Sequence, residues 1–256
     1  MIKLVASDLD GTLLRDGAMS LNPEIYDLIL RLKAKGIAFA AASGRQIYSI
    51  RHLFEPIVND IYYIAENGSL AVCNGQVISR GLIDRDLGLR IFQAVRVHGG
   101  CQCFVSCESR GYTEFKEPRF LNHMHNVAHF DIEEVECMDD ITEPFIKMAI
   151  CDFNGTDEIF PYFNERFGNE IEIVTSGNEW IDFIAPNANK GIALENLCRH
   201  LGIRREECIA FGDQFNDIAM LEYAGTSYAM STCAPGVEKH ANFQTDSVEE
   251  ILRSLL

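Results

Sequence analysis

Two aspartates, Asp8 and Asp10, stand one residue apart behind an apolar opening run of Met1, Ile2, Leu4, Val5 and Ala6. Like charges this close repel, and holding them beside a core is costly unless a cation compensates. Other polar groups follow apolar runs in the same way: Ser43-Gly44-Arg45, and Gly212-Asp213 with Asn216 and Asp217. Lys190 opens a helical stretch. The set is rich in carboxylates, offers only oxygen as ligand atoms, and adds one lysine and one hydroxyl. Such donors suit a hard cation, Mg2+ first. No His/Cys set stands at matching positions, so zinc is not expected there. Singly, each residue has an ordinary reading: Asp8 and Asp10 as turn residues, Ser43 as a helix cap, Lys190 as a surface lysine, Asn216 and Asp217 as a solvated first turn.

The elements that carry these residues decide between the readings. Residues 2–7 and 37–42 are continuous apolar runs, the pattern of strands buried on both faces of a parallel sheet. Between them Asn22-Pro23-Glu24 starts a helix, with Asn as N-cap and Pro in the first position. That helix carries Ile25, Leu28, Ile29 and Leu32 on one face and stops at Gly36. A second helix follows with Ile47, Ile50, Leu53 and Phe54. A third strand over 61–65 ends in Glu66-Asn67-Gly68, and strands over 70–73 and 76–79 flank the hairpin signal Asn74-Gly75.

The middle of the chain changes character. A helix over 87–97, strands over 101–107, 112–115, 145–151, 171–174 and 180–185, and a helix near 157–167 read as α+β. Residues 117–142 are polar and ambiguous. After Asn187 the first pattern returns, with helices over 190–201, 218–224 and 248–256 and strands over 208–211 and 226–230. The expected architecture is α/β: a doubly wound parallel, Rossmann-like core sheet built from residues 1–81 and 187–256, with an α+β domain inserted over 82–186. Open parallel sheets bind ligands beyond the carboxyl ends of their strands, which is where Asp8, Ser43 and Asp213 fall.

Composition narrows the partners. The 256 residues carry a formal net charge of −16, which argues against nucleic acid or anionic membrane as a partner. A small anionic substrate is compatible with that charge if a cation reverses the field locally. No apolar window is long enough for a transmembrane helix, and no basic segment followed by an apolar run marks a signal peptide. The nine cysteines are an odd number in a chain too long to need staples. Cys73, Cys151, Cys198 and Cys208 lie in apolar runs, so a reducing, cytoplasmic setting is expected. No motif marks the oligomeric state, monomer or dimer.

Asp8-Leu9-Asp10-Gly11-Thr12-Leu13 resembles the first motif of haloacid dehalogenase-type phosphatases. Ser43, Lys190 and Gly212-Asp213-Gln214-Phe215-Asn216-Asp217 resemble their second, third and fourth motifs, in the same order along the whole chain. The insert between the second and third motifs resembles the Cof-type subgroup with its large type IIB cap, and Glu66-Asn67-Gly68 and Asn189-Lys190-Gly191 resemble that subgroup's local pattern.

The resemblance implies a Mg2+-dependent phosphomonoester hydrolase. Asp8 would attack phosphorus and form an aspartyl-phosphate, and Asp10 would protonate the leaving oxygen and then deprotonate water. Ser43 would hydrogen-bond a phosphoryl oxygen, with backbone N–H groups near Leu9 and Gly44, and Lys190 would neutralise Asp8 and the phosphoryl charge. Mg2+ would bridge Asp8 and phosphate, held by the Asp10 carbonyl and Asp213. Asn216 and Asp217 would complete that loop as ligands, directly or through water, with Asn216 also beside the phosphate. Arg45 and Arg119 are candidates for a second anionic group of the substrate, with rim ion pairs as their default.

The cap would select a small phosphorylated metabolite, sugar phosphates first, with pyridoxal phosphate, flavin mononucleotide or a nucleotide behind them. Two readings stand beside this one: a phosphotransferase or mutase using the same intermediate, and a non-catalytic phosphorylatable or ligand-sensing module. Receiver-type modules lack an Asp10 equivalent and an insert.

Some positions depart from the pattern. Gln214 stands where Ser is common, and Ala229-Met230-Ser231-Thr232-Cys233 stands where the family reads Ala-Met-Gly-Asn-Ala, which puts the local loop geometry and a phosphate contact in question. The tail at 245–248 lacks the usual glycine. His123, His125 and His129 are loosely spaced and read as exposed histidines near a substrate mouth rather than a metal set. Cys101 and Cys103 share a strand face with Cys107 nearby, and Trp180 and Phe183 are expected in core packing.

Overall fold

In the computed structural model, which describes residues 1–176 and 178–256, the opening apolar run forms β1 (Leu4–Ser7), buried along its whole length. The chain then alternates through α1 (Pro23–Ala34), β2 (Ala38–Ala42), α2 (Ile47–Leu53) and β3 (Tyr62–Ala65) to the hairpin β4 (Leu70–Cys73) and β5 (Gln76–Arg80). The Asn22 side chain caps α1 by accepting the Glu24 N–H at 3.0 Å, with Pro23 in the first turn. Helix α1 buries Ile25, Leu28, Ile29 and Leu32, the face its spacing predicts.

A second unit, Gly81–Ala188, interrupts the first, Met1–Arg80 with Asn189–Leu256. The interruption holds α3 (Arg85–His98), β6 (Gln102–Ser106), β7 (Gly111–Thr113), α4 (Pro118–Asn122), β8 (Ile132–Glu134), β9 (Lys147–Cys151), α5 (Ile159–Phe167), β10 (Glu172–Ser176) and β11 (Trp180–Ile184). The first unit resumes with α6 (Lys190–Leu201), β12 (Cys208–Gly212), α7 (Ile218–Tyr223), β13 (Thr226–Met230), β14 (Phe243–Thr245) and α8 (Val248–Ser254).

The first unit's sheet runs β14-β13-β12-β1-β2-β3-β4-β5. Pairing is parallel from β14 to β3 and antiparallel across β4 and β5. β1 sits between β12 and β2, so strands from the two ends of the chain meet there. Ser7 pairs with Phe211 on one side and Ala41 on the other, so the chain leaves all three strands at one level. Leu4, Ala6, Ala40, Ala42, Cys208 and Ala210 pack with Leu194, Leu197 and Cys198 of α6 in one apolar cluster.

The inserted unit's sheet runs β10-β11-β9-β6-β7-β8 and is antiparallel except between β7 and β8. One face packs on α3 and α5 through Ile91, Phe92, Val95, Phe163 and Phe167, joined by Cys101, Cys103, Cys107 and Phe183. Those three cysteines are buried in that packing. On the other face Phe104, Ala149 and Cys151 meet Phe120 and Met124, with Trp180 packed against that cluster.

Three parts differ from the sequence reading. The ambiguous 117–142 stretch resolves into α4, a π-helical turn at His123–Val127, β8 and a short 3-10 turn at Met138–Asp140. β14 was not expected; two of its three residues are exposed, so it carries no burial pattern. β7 is shorter than expected, ending at Thr113. Among the described residues no helix is long and apolar enough to cross a membrane.

Candidate active site

The three strand ends set the site. Asp8 follows β1, and its N–H continues the ladder by donating to Phe211 O at 3.0 Å. The chain then turns sharply, because Leu9 O accepts from the N–H groups of Thr12, Leu13 and Leu14. Gly11 makes this turn at φ +89°, and a Cβ there would lie 2.2 Å from the Asp213 carboxylate. Glycine is needed both for the backbone angle and for the approach of the Asp213 loop. Ser43 follows β2, buried, with its Oγ accepting the Arg45 N–H at 3.1 Å. Asp213 follows β12 and takes the Thr12 hydroxyl on Oδ1 at 2.9 Å.

Lys190 is the first residue of α6, whose N-cap Asn189 accepts the Ile192 N–H at 2.8 Å. A helix N-terminus disfavours a cation, yet this lysine is 0% exposed. Two carboxylates hold it: Nζ donates to Asp8 Oδ1 and to Asp217 Oδ1, each at 2.6 Å. Asp217 in turn accepts the N–H groups of Asp213 and Gln214 on Oδ2, at 2.9 and 3.0 Å. Both oxygens of Asp217 are thus engaged, one on the lysine and one on the loop.

The electrostatics are unbalanced. Asp8, Asp213 and Asp217 are all buried, and one oxygen from each lies within 4.8 Å of the others. Burial pushes the Asp8 carboxyl well above the usual range, Asp217 and Asp213 push it further, and Lys190 opposes them. Burial and the Asp217 charge raise Asp213 too, against the Thr12 hydrogen bond. Burial works against the Lys190 ammonium, but Asp217 and Asp8 outweigh it and raise its pKa. Three buried carboxylates around one ammonium, all with oxygen donors, fit a hard divalent cation.

The remaining expected residues fall into two places. Asp10 is exposed, outside that cluster, and Arg45 grips its carboxylate through two hydrogen bonds, Nε to Oδ2 at 2.8 Å and Nη2 to Oδ1 at 2.6 Å. Asn216 donates from Nδ2 to Asn67 Oδ1 at 2.9 Å. Arg119 is on the inserted unit, over the Phe153 ring and paired with Glu179 at 3.3 Å. His123 is half-buried against the Trp180 ring, and burial lowers its pKa. Among the described residues, His123, His125 and His129 form no ligand cluster of the kind Asp8, Asp213 and Asp217 form.

Other contacts were not foreseen. Thr12 belonged to the quoted first motif, but its partner Asp213 lies far along the chain. Gln214, which departs from the family pattern, donates its amide to Asp213 Oδ2 at 3.3 Å. The departing 231–233 loop remains tied to the site, because the next residue, Ala234, donates its N–H to Asp213 O at 2.8 Å.

A family model described as haloacid dehalogenase-like hydrolase matches residues 5–252. The chain is 30% identical over 250 residues to the 5-amino-6-(5-phospho-D-ribitylamino)uracil phosphatase YbjI of Escherichia coli K12, covering 96% of this chain and 91% of that protein. It is 28% identical to the HMP-PP phosphatase of Citrobacter koseri, covering 92% of this chain and 86% of that one. Among solved structures, a haloacid dehalogenase-like hydrolase from Bacteroides thetaiotaomicron superposes with a TM-score of 0.89 over 100% of both chains at 23% identity, a likeness of fold.

Proposed function

The chain belongs to the haloacid dehalogenase-like hydrolases and is a phosphatase, and we propose that it hydrolyses a small phosphorylated metabolite through a phospho-enzyme on Asp8, with Mg2+ as cofactor. The observation that carries this reading is the buried cluster of Asp8, Asp213 and Asp217 behind the parallel strands β1 and β12, with Lys190 held by Asp8 and Asp217.

Lys190 takes Asp8 Oδ1 and leaves Oδ2 to attack phosphorus as the ester P–O bond breaks. Asp10 in its protonated form gives its proton to the leaving oxygen, and Arg45 holds the carboxylate that results. In the second half Asp10 takes a proton from water, the water oxygen bonds to phosphorus, and the Asp8–phosphorus linkage breaks to release inorganic phosphate. The Ser43 hydroxyl holds a phosphoryl oxygen, with the N–H groups of Leu9 and Gly44 beside it. Mg2+ would be held by Asp8, Asp213, the Asp10 carbonyl and, directly or through water, Asn216, and would screen the anionic nucleophile from the anionic phosphate. Asp217 anchors Lys190 through Oδ1 and the Asp213 loop through Oδ2.

We assign substrate choice to the inserted unit, residues 82–186, and place sugar and polyol phosphates first. A named relative acts on a phosphoribityl compound, which supports that order. Each of the nine cysteines is a free thiol, which supports a reducing compartment.

The test is a panel of phosphomonoesters with Mg2+, comparing the wild-type protein with Asp8→Asn. Phosphate release from a sugar or polyol phosphate that disappears in Asp8→Asn is the expected result. Turnover kept by Asp8→Asn would overturn the mechanism. Added alcohols and sugars in the same assay separate hydrolysis from phosphotransfer by whether phosphate appears on the acceptor.

A further inference from the structure

The turn after β3 touches three segments of the site, and no role described above uses it. Glu66, Asn67 and Gly68 have φ values of +52°, +56° and +93°, three consecutive left-handed residues. Asn tolerates that region, whereas Glu enters it at a cost. The turn is buried, with Glu66 at 2% and Asn67 at 3% exposure.

Its contacts go to three segments. The Glu66 N–H donates to Arg45 O and the Asn67 N–H to Ser43 O, each at 3.1 Å. Asn67 Oδ1 accepts Asn216 Nδ2 at 2.9 Å. Gly68 lies against the start of α6 so closely that a Cβ would sit 2.2 Å from the Asn189 carbonyl carbon and oxygen. The strained turn therefore joins the Ser43 loop, the Asp213–Asp217 loop and the Lys190 helix start. Asn216 spends its only donor group on Asn67, and its Oδ1 is buried without a hydrogen-bond partner among the described residues. A buried acceptor left over in this way is costly unless something in the loaded site uses it.

We infer that Asn67 is a positioning residue: its side chain orients the Asn216 carboxamide so that Oδ1 is offered to the loaded site, and its backbone sets the spacing of the Ser43 and Asp213–Asp217 loops. The inference rests on the phosphatase reading of this centre. It separates two functions of one residue. Asn67→Gly keeps access to the left-handed backbone and removes the acceptor, whereas Asn67→Asp keeps both.

The experiment measures Mg2+ binding by titration calorimetry and melting without metal, on the full chain, for Asn67→Gly, Asn216→Ala and the double variant. The metal-free melting temperature of Asn67→Gly should stay within about 4 °C of wild type. Its Mg2+ affinity should fall about tenfold or more, the usual effect of removing a group that orients a ligand. The double variant should lose no more than Asn216→Ala alone, because Asn67 acts through Asn216. In turnover, Asn67→Asp should recover to within about threefold of wild type.

Wild-type Mg2+ affinity in Asn67→Gly, losses that multiply in the double variant, or an Asn67→Asp as impaired as Asn67→Gly would each overturn the inference. Should the wild type bind Mg2+ yet release no phosphate from any ester, the functional reading fails and calorimetry still decides the role of Asn67. A wild type that binds no Mg2+ overturns both.

Discussion

The two units bury charge in opposite ways. In the inserted unit, Lys147 on β9 and Asp182 on β11 form an interior ion pair, 3.6 Å apart. In the first unit, three buried carboxylates stand together, and two of them, Asp8 and Asp217, hold one ammonium. The sheets explain the contrast. Antiparallel neighbours bring a carboxyl end beside an amino end, so a charged side chain from one strand meets its partner partway along the next. Parallel neighbours bring all carboxyl ends to one edge, and there Asp8, Ser43 and Asp213 are gathered whatever their mutual repulsion. The mark of the functional centre is therefore charge left unbalanced, since a buried pair in balance is a common structural feature.

The sharpest way to break that comparison is Asp8→Asn. If the imbalance exists for chemistry, phosphate release should fall by at least about a thousandfold. Metal-free stability, read by urea unfolding, should stay level or rise, because one of three repelling carboxylates is gone. A variant that lost stability and activity together would make Asp8 a structural residue. Next in size are the two lysines. Lys190→Met leaves Asp8 and Asp217 buried without a cation and should cost about 3–5 kcal/mol of stability, besides about two to three powers of ten in rate. Lys147→Met should cost a similar amount of stability. The repair differs: adding Asp182→Leu to Lys147→Met should recover most of the loss, as replaced buried pairs do. Adding Asp217→Leu to Lys190→Met should recover no activity, and matched repair in both units would contradict the distinction.

How far the sequence foretold this contrast depends on the element. β1, β2 and β12 were legible as unbroken apolar runs, and α1 by its Asn cap and apolar face. The residues behind those strands could then be named before any coordinate. The 117–142 stretch hid its helix because α4 has five residues and runs into a π turn, which shifts the helical spacing. Its buried anchors Phe120 and Met124 stand four apart, a signal too short to stand alone. β14 exposes Phe243 and Gln244, so neither alternation nor an apolar run marks it. In the site, Arg45 was a candidate for a second anionic group of the substrate with a rim ion pair as its default, and the partner of that pair, Asp10, comes from another loop. Asn67 was quoted only as part of a pattern. Residue type gave its tolerance of a left-handed turn, while its bond to Asn216 spans 149 positions and follows only from the fold.

A smaller effect comes from the cation itself. Binding to the folded state alone stabilises by mass action, about 2.7 kcal/mol at a hundredfold excess over the dissociation constant. Mg2+ should therefore raise the melting temperature of the wild-type protein, and Asp213→Asn should abolish most of the rise. Lys147→Met should leave the rise intact, because neither Lys147 nor Asp182 belongs to the carboxylate cluster that would hold the cation. Differential scanning fluorimetry with and without chelator reads both. A rise that survives in Asp213→Asn would place the cation elsewhere.

The smallest expected effect is a difference of sign in acid, without metal. The folded-state pKa values of Asp8 and Asp213 are raised, by burial first. Between the unfolded carboxylate value, about 4, and those raised values, the folded state holds protons that the unfolded state lacks. Stability linked to these groups therefore increases as pH falls through that window. Glu114 of the inserted unit is shifted the other way, because the Arg96 guanidinium donates to its carboxylate at 2.6 and 2.8 Å. Its contribution is complete above the unfolded glutamate value, about 4.3, and is lost as pH falls through the lower folded value. Arg96 and Glu114 are partly exposed, so solvent screening holds that loss to about 1 kcal/mol or less. Hydrogen exchange followed by segment from neutral pH to about 4 separates the two. Protection of β1 and β12 should hold or rise, while protection of β6 and α3 weakens at the acid end. Trp180, the one tryptophan of the chain, packs on Phe104 and Phe120, so its fluorescence reports the same weakening in the inserted unit. If both units weakened together over the whole range, the buried carboxylates at the strand ends would not be the protonated, unbalanced set that their burial dictates.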